Sequence, residues 1–217
     1  MLQPACHLPY RSFSMTWAER LHDRSCLEAD RRLNDRKAAL FGSATGVVLD
    51  LGAGLGTNRK YLTAADKYIA LEPQERHLAQ LNSLADAVLP AKAEAIPCPN
   101  ESIDCVISCM TLCSVCDLDQ AINEIRRVLR INGRLLLIEH VGASRGSLLR
   151  LFQRLLRPFC QTFEHGCRPD RDIGAALRSS KLAMHFHEYF ILRLGPPLLR
   201  DWIAAVLTKA AYSERTQ

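Results

Sequence analysis

A glycine-rich turn that directly follows a short apolar run is the feature that most constrains the fold. The run covers residues 47–51, and the turn reads Gly52-Ala53-Gly54-Leu55-Gly56. A continuous apolar run of this length is typical of a buried parallel strand. Glycines after such a strand let a ligand approach the backbone, and a helix that follows points its N–H groups at that ligand. The sequence therefore predicts a ligand site at the carboxyl end of the first strand.

Strand-like and helix-like patterns alternate through the middle of the chain. Further strands are predicted over 68–71, 87–89, 103–110 and 134–141. Helices are predicted over 57–63, 74–84 and 118–130, and later ones near 147–157 and 170–180. A late strand is expected over 185–194, and the pattern at 198–210 fits a helix or a strand. Alternation of this kind indicates βαβ units, in which helices cover both faces of a parallel sheet.

An acidic residue completes the predicted ligand site. Glu72 ends the second predicted strand, 22 residues after Asp50. A carboxylate at this place typically accepts hydrogen bonds from both hydroxyls of a ribose, so the site suits an adenosine-containing ligand. The glycines follow a G-x-G-x-G spacing, and Thr57 occupies the position of the third glycine in the G-x-G-x-x-G fingerprint of dinucleotide-binding turns. This difference argues against an NAD-dependent oxidoreductase.

Composition and charge exclude several classes of protein. The 217 residues are enough for one domain with a full core, and 48% hydrophobic with 24% charged residues is ordinary for a globular chain. No apolar stretch reaches the ~18 residues of a membrane span, and the first 20 residues lack the apolar block of a secretory signal. We therefore expect a cytoplasmic protein.

The net charge is +5, but the chain contains no dense basic run interleaved with aromatic residues. Dedicated nucleic-acid binding is therefore not expected. The basic stretches 31–37 and 145–157 are interpreted as solvated helix faces, with attraction of RNA, an anionic membrane or an acidic substrate as the alternatives.

The nine cysteines raise two further hypotheses. An odd number without an export signal argues against a disulfide framework, so most are expected to be reduced. Cys109, Cys113 and Cys116 have the spacing of the iron–sulfur motif of radical S-adenosylmethionine enzymes. Their position after a strand of a doubly wound sheet argues against that cluster. A zinc or arsenic site on the same three residues lacks an obvious fourth ligand. No metal is therefore expected.

The motifs together resemble those of class I S-adenosylmethionine-dependent methyltransferases. The matching segments are residues 48–56, 71–73, 91–97, 102–107 and 124–134. Within that superfamily the chain resembles the methyltransferase-like protein 7 group, which methylates thiols, at 37–41, 111–115, 139–141 and 165–167. It is also similar to ubiquinone/menaquinone-biosynthesis methyltransferases and to bacterial phospholipid N-methyltransferases. The resemblance implies an α/β fold: a doubly wound, Rossmann-like sheet of seven mostly parallel strands with helices on both faces. We expect an N-terminal helical cap over 1–45 and a methyltransferase domain over 46–217.

The resemblance implies S-adenosylmethionine as the cofactor and assigns roles to its binding residues. Glu72 would clamp the ribose, and Asp50 would orient the glycine-rich turn and the donor's ammonium group. Ala93 and Glu94 would border the adenine, while the methionine chain would rest on the loop after the fourth strand. The predicted donor-binding residues are Asp50, Gly52, Ala53, Gly54, Gly56, Asn58, Glu72, Pro73, Ala93, Glu94, Thr111 and Leu112.

The acceptor is expected to be a small molecule, and the resemblance favours a thiol. A thiol titrates near pH ~8.5, so a nearby base suffices to activate it. His140, at the end of the fifth strand, is the first catalytic candidate and His165 the second. The alternatives are methylation of a quinone precursor or a lipid amine, or a non-catalytic subunit that binds S-adenosylmethionine. Apolar residues within 148–156 suggest a substrate lid, a contact with a membrane surface or an ordinary core helix.

Overall fold

The structure, a computed structural model, describes residues 17–163, 166–192 and 197–211. Its strands are β1 (Gly46–Leu51), β2 (Ala65–Leu71), β3 (Ala87–Leu89), β4 (Ile103–Cys109), β5 (Leu129–His140), β6 (Ala183–Ile191) and β7 (Asp201–Thr208). They form one seven-stranded sheet in the order β3-β2-β1-β4-β5-β7-β6. Strands β1 to β5 pair in parallel, and β7 runs antiparallel between β5 and β6. The predicted fold class is confirmed.

Helices cover both faces of this sheet. They are α1 (Trp17–Arg32), α2 (Asn34–Phe41), α3 (Glu75–Leu81), α4 (Leu118–Val128), α5 (Leu148–Phe163) and α6 (Ile173–Ser179), with 3₁₀ turns at Thr57–Tyr61 and Pro197–Leu199. Side chains of β5 alternate between two cores. Leu135 and Leu137 pack in the core that contains Ile125 of α4, whereas Leu136 and Ile138 pack in the one that contains Phe41 of α2. Because both faces are buried, the strand reads as a continuous apolar run rather than an alternating one.

The strand order places a crevice above β1 and β4. The chain runs from β1 outwards through β2 to β3, then returns to β4 on the other side of β1. Connections that leave two neighbouring strands in opposite directions open a cleft at their carboxyl ends, and ligands of open α/β sheets bind there. The glycine-rich turn after β1 and the loop after β4 both border this cleft.

Several predicted boundaries shift. The helix predicted to 130 ends at Val128, because Leu129 already has extended backbone angles and pairs with Ile103. The ambiguous segment 198–210 forms β7, since a place between β5 and β6 satisfies its backbone groups on both sides. Strand β6 ends at Ile191, and positions 193–194 of its predicted span lie outside the described residues.

The N-terminal part of the chain forms α1 and α2, which fall within the predicted cap over 1–45. The division into a cap and a domain over 46–217 stays a prediction, and residues 1–16 lie outside the described residues. One expectation here is wrong: Lys37, within a stretch interpreted as solvated, is 1% exposed. In the described ranges, no helix combines the length and apolarity needed to cross a bilayer.

Candidate active site

The glycine-rich turn adopts a conformation that favours glycine. Gly52, Gly54 and Gly56 have φ angles of 66°, 52° and 71°, in the left-handed region that disfavours other residues. A Cβ atom at Gly52 would lie 2.4 Å from the Thr111 hydroxyl oxygen, so this position also needs glycine for space. A Cβ at Gly54 would instead meet only the carbonyl oxygen of Gly52, at 3.9 Å. The backbone at Gly54 therefore faces open space that a ligand can occupy.

Glu72 connects the end of β2 to this turn. Its carboxylate is 3% exposed and accepts hydrogen bonds from the Gly54 N–H and the Gln74 N–H, each at 2.8 Å. An ionised carboxylate offers about four acceptor positions, so two remain for the hydroxyls of a ribose. Pro73 follows on the surface. The structure thus brings together the two predicted elements of the donor site, and their geometry fits an adenosine-containing ligand.

Asp50, at the end of β1, lies in a buried polar network that reaches the N-terminal helices. It accepts two hydrogen bonds from the Asn58 amide, at 3.0 and 3.2 Å, and one from the Tyr68 hydroxyl at 3.0 Å. Burial raises the pKa of Asp50 to about 6. The amide oxygen of Asn58 accepts a hydrogen bond from the Lys37 ammonium at 2.9 Å, and Lys37 also donates to the Asp30 carboxylate at 2.7 Å. The glycine-rich turn, hereafter the donor turn, is therefore anchored to α1 and α2.

The sequence prediction included Asp50 and Asn58 but missed the other members of this network. Lys37 follows Leu33 and precedes Phe41 by four residues each, and all three side chains are buried. Residues four apart share one helix face. A lysine in the middle of an apolar stripe indicates a buried ammonium group, and a buried charge needs an acidic partner. This spacing was the sequence feature that could have identified Lys37.

Glu139 of β5 fixes the loop after β4. It is fully buried and accepts hydrogen bonds from the Ser108 hydroxyl at 2.7 Å and from the backbone N–H groups of Thr111 and Leu112 at 3.0 Å. The Thr111 hydroxyl donates to the Leu51 carbonyl at 2.7 Å. In the sequence, Glu139 stands out only as part of the motif at 139–141. Its role is to hold Thr111 and Leu112 against the glycine-rich turn.

Ala93 and Glu94 lie in the loop between β3 and β4. Ala93 is buried in the core beside α4. The Glu94 carboxylate accepts from the N–H groups of Cys116, at 2.6 Å, and Asp117, at 3.3 Å, just before α4 begins. This carboxylate therefore anchors the start of a helix, and the proposed contact of both residues with adenine stays a prediction.

His140 ends β5 and is 4% exposed. Its Nε2 atom lies 3.1 Å from the Cys167 sulfur, and its ring meets the Trp202 indole edge-on with the centroids 6.0 Å apart. His165, the second catalytic candidate, lies outside the described residues. The structure thus places one catalytic candidate beside the loop that follows β4.

Comparison with known proteins agrees with this geometry. A family model described as a methyltransferase domain matches residues 49–137, the region that contains most of the donor-site residues. Human thiol S-methyltransferase TMT1B is 27% identical over 190 residues, which cover 79% of this chain and 75% of that protein. The ubiquinone/menaquinone biosynthesis C-methyltransferase UbiE of Hahella chejuensis is 53% identical over 49 residues, 23% of this chain and 20% of that one. The chain is an S-adenosylmethionine-dependent methyltransferase.

Solved structures share the fold of this methyltransferase. YcgJ of Bacillus subtilis superposes with a TM-score of 0.63 at 14% identity, covering 85% of this chain and all of that one (100%). A geranyl diphosphate methyltransferase in complex with S-adenosylmethionine superposes with a TM-score of 0.65 at 12% identity, covering 87% and 90% of the two chains. S-adenosylmethionine is the cofactor. When bound, it supplies a methyl group activated by a sulfonium cation.

The methyltransferase has a second concavity at the same edge of the sheet. A cavity of about 350 Å³ lies between the segment after β5 and the adjoining ends of β6 and β7. Its walls include Val141, Phe190 and Trp202. The charged groups in the walls are Arg145, Arg150, Asp172 and Asp201. This volume suits a small organic molecule. Because Trp202 contacts both the cavity and His140, we identify the cavity as the candidate acceptor pocket.

The three cysteines with the radical-enzyme spacing do not converge. The Cys109 thiol lies in the core beneath α2, where burial raises its pKa to about 12. Cys116 is disulfide-bonded and so offers no thiolate. Cys113 lies instead beside His140 and Cys167. The structure therefore gives no support to a metal site on Cys109, Cys113 and Cys116.

Proposed function

We propose that this methyltransferase transfers the methyl group of S-adenosylmethionine to the sulfur of a small thiol, with His140 as the residue that activates the acceptor. The position of His140 carries the proposal. Its imidazole lies at the carboxyl end of β5, between the Cys167 thiol and the wall of the candidate acceptor pocket. Similarity to TMT1B over most of both chains supports a thiol rather than another acceptor.

The reaction needs alignment of the acceptor sulfur with the methyl group of the donor, and it needs deprotonation of the acceptor thiol. The acceptor sulfur forms a bond to the methyl carbon as the bond from that carbon to the sulfonium breaks, which leaves a thioether and S-adenosylhomocysteine. A free thiol has a pKa of about 8.5, so only a few per cent is thiolate at neutral pH. Glu72 and the turn at Gly54 hold the donor, and Thr111 and Leu112 support its methionine chain. His140 favours the thiolate form of the acceptor.

Three acceptors that differ in one atom test the choice of sulfur. Thiophenol, phenol and aniline share a ring and present sulfur, oxygen and nitrogen. We expect the purified chain with S-adenosylmethionine to methylate thiophenol alone, measured by mass spectrometry of the methylated product and of S-adenosylhomocysteine. Methylation of phenol or aniline with thiophenol untouched would replace the thiol by another acceptor class. It would leave the donor chemistry in place.

The role of His140 is tested by His140→Gln. We expect turnover of 2-mercaptoethanol, an alkyl thiol that is protonated at neutral pH, to fall by about 100-fold or more, the usual range for loss of an activating group. The dissociation constant of S-adenosylhomocysteine should stay unchanged, because His140 lies outside the donor turn. His187→Gln, an exposed histidine on β6, is the matched control. Unchanged turnover in His140→Gln removes this residue from the mechanism.

We also propose that α5 docks on an anionic membrane surface. Its apolar side chains face outwards: Leu148, Leu151, Phe152, Leu155, Leu156 and Phe159 are between 40% and 76% exposed. Two of its polar side chains, Arg150 and Gln153, face the protein instead. Gln153 is fully buried, where it accepts from the Ala143 N–H and donates to the Leu198 carbonyl. Residues 142–163 contain four arginines and no acidic residue. An apolar stripe among cationic side chains is the pattern of a helix that lies in a lipid interface.

Sedimentation with vesicles tests this docking. We expect binding to vesicles of phosphatidylcholine with phosphatidylglycerol, and weaker binding to phosphatidylcholine alone. The double variant Leu151→Ser/Leu155→Ser should lose it, whereas Leu84→Ser, an exposed leucine outside α5, should keep it. Equal sedimentation of the double variant would contradict the proposal. A dimer that the double variant abolishes, without vesicle binding, would assign the stripe to a second copy of the chain.

A further inference from the structure

Two cysteines and a histidine meet in a buried cluster next to the donor site. Cys113 comes from the loop after β4, His140 ends β5, and Cys167 precedes α6. The two sulfur atoms and one ring nitrogen all lie within 4.8 Å of one another. The three residues are 2%, 4% and 4% exposed. They come from three separate segments of the chain, and the fold brings their soft ligand atoms together.

We propose that Cys113, His140 and Cys167 bind a thiophilic metal ion of the zinc class, and that the acceptor thiol takes its remaining coordination position. The second half of this proposal rests on the proposed function, whereas the metal site stands on its own geometry. Thiolate and imidazole ligands select zinc-class ions over magnesium or calcium. Three protein ligands with one open position are the arrangement of catalytic rather than structural zinc.

The distances suit such an ion. Zinc lies about 2.3 Å from sulfur and about 2.0 Å from nitrogen, so tetrahedral ligand atoms are roughly 3.5–3.8 Å apart. The His140 nitrogen and Cys167 sulfur are 3.1 Å apart, and no pair in the cluster exceeds 4.8 Å. Side-chain movements of about 1 Å therefore suffice. The N–H of Arg168 donates to the carbonyl of Cys113 at 3.0 Å, so the backbone holds the two cysteine segments together without the ion.

The charge balance also favours a dication. A dication with two thiolates and a neutral imidazole carries no net charge, which a buried site tolerates. Glu139 and Arg171 are buried, and both bond to the backbone of the loop that carries Cys113; their opposite charges offset one another. Metal binding would release the two thiol protons to solvent.

A metal at this place would explain how the acceptor is activated. Coordination deprotonates a bound thiol, and its proton leaves to solvent. The metal-bound sulfur then forms the bond to the methyl carbon, and the electron pair of the broken carbon–sulfonium bond stays on the donor sulfur. Cys113 follows Thr111 by two residues, at most about 7 Å along the chain. Thr111 in turn bonds to the end of β1. The cluster and the donor turn are thus neighbours.

Cobalt substitution tests the site without any need for turnover. The full chain is stripped with a chelator and titrated with Co²⁺, and zinc affinity is measured by competition with a chromophoric chelator. We expect one ion per chain and a thiolate-to-cobalt charge-transfer band. The band should be lost in Cys113→Ser and in Cys167→Ser, and kept in Cys98→Ser, a half-buried cysteine outside the cluster. Retained binding of S-adenosylhomocysteine shows that each variant is folded.

The outcomes separate the two proposals. A folded wild-type chain with no more cobalt binding than Cys113→Ser overturns the metal site. A change in the cobalt spectrum on addition of thiophenol supports the open position, and an unaltered thiophenol turnover after removal of the metal overturns the acceptor role. A chain that binds cobalt through this cluster but methylates no thiol retains the site and refutes the proposed function.

Discussion

Replacement of Lys37 by methionine tests how strongly the N-terminal helices support the donor turn. Lys37 is 1% exposed and donates to Asp30 at 2.7 Å and to Asn58 at 2.9 Å. Burial by itself lowers the pKa of an ammonium group, but here its surroundings hold the pKa of Lys37 above the ordinary value. The Cys109 thiol nearby has a pKa of about 12 and stays neutral. Asp30 is therefore the anion that keeps Lys37 charged.

The structure sets the size of the effect. Methionine keeps most of the volume but removes two hydrogen bonds from a charged donor, each worth roughly 1.5–3 kcal/mol. Removal of one partner of a buried ion pair costs about 3–5 kcal/mol when the other charge is left alone. Asp30 retains a bond from Lys60 at 2.9 Å, so the loss should fall at the lower end, near 3 kcal/mol. For a chain of this size the melting temperature would drop by about 6–12 °C.

Urea unfolding followed by circular dichroism measures this loss. Lys60→Met is the matched control, since Lys60 binds the same carboxylate from the surface, where its side chain is 52% exposed. A surface pair contributes at most about 1 kcal/mol. We also expect Lys37→Met to weaken binding of S-adenosylhomocysteine, because Asn58 loses the contact that orients its amide towards Asp50. If Lys37→Met lowers the unfolding free energy no more than Lys60→Met does, at an unchanged denaturant slope, the ion pair between Lys37 and Asp30 does not anchor the turn.

Two further changes test the donor site itself. Glu72→Ala should weaken S-adenosylhomocysteine binding by about 100-fold in calorimetric titration, because two hydrogen bonds to a charged group are lost. Glu75→Ala, which changes an exposed residue, is the control and should not weaken binding. Equal affinities of Glu72→Ala and wild type would mean that Glu72 only stabilises the glycine-rich turn. Asp50 has its pKa raised to about 6 by burial, so the folded state keeps a proton that the unfolded chain loses near pH ~4. We compare the unfolding free energies of wild type and Asp50→Asn at each pH. The value for wild type minus that for the variant should fall by about 3 kcal/mol as the pH rises from ~4 to ~6 and then level off. A difference that does not vary with pH would contradict the raised pKa of Asp50.

The fold, and the convergence of Asp50, Gly54 and Glu72 at one edge of the sheet, were predictable from sequence because each depends on a local pattern. Apolar runs that alternate with amphipathic helices specify a parallel sheet. The carboxyl ends of its strands then bring residues distant in sequence to one edge, which is how Asp50, Gly54 and Glu72 come together. Neither prediction needed knowledge of side-chain contacts.

The buried polar contacts were harder to predict, because residue type alone points the wrong way. A lysine is ordinarily solvated, and only its spacing from Leu33 and Phe41 indicates that Lys37 is buried. The cysteines show the same limit. Sequence spacing groups Cys109 with Cys113, but Cys109 lies in the core on the α2 side of the sheet and Cys113 in the other. Cys113 meets Cys167 through an irregular segment whose path no periodicity describes.

The two halves of the reaction are built on different parts of this chain. The candidate donor site contains carboxylates at strand ends, each bonded to the backbone of a neighbouring loop: Glu72 to Gly54, and Glu139 to Thr111. It lies almost entirely within residues 49–137, the span that matches the general methyltransferase domain. The cluster around His140 and the cavity beside Trp202 depend mainly on segments after that span. We therefore expect substitutions in the later segments to alter acceptor choice without altering binding of S-adenosylhomocysteine.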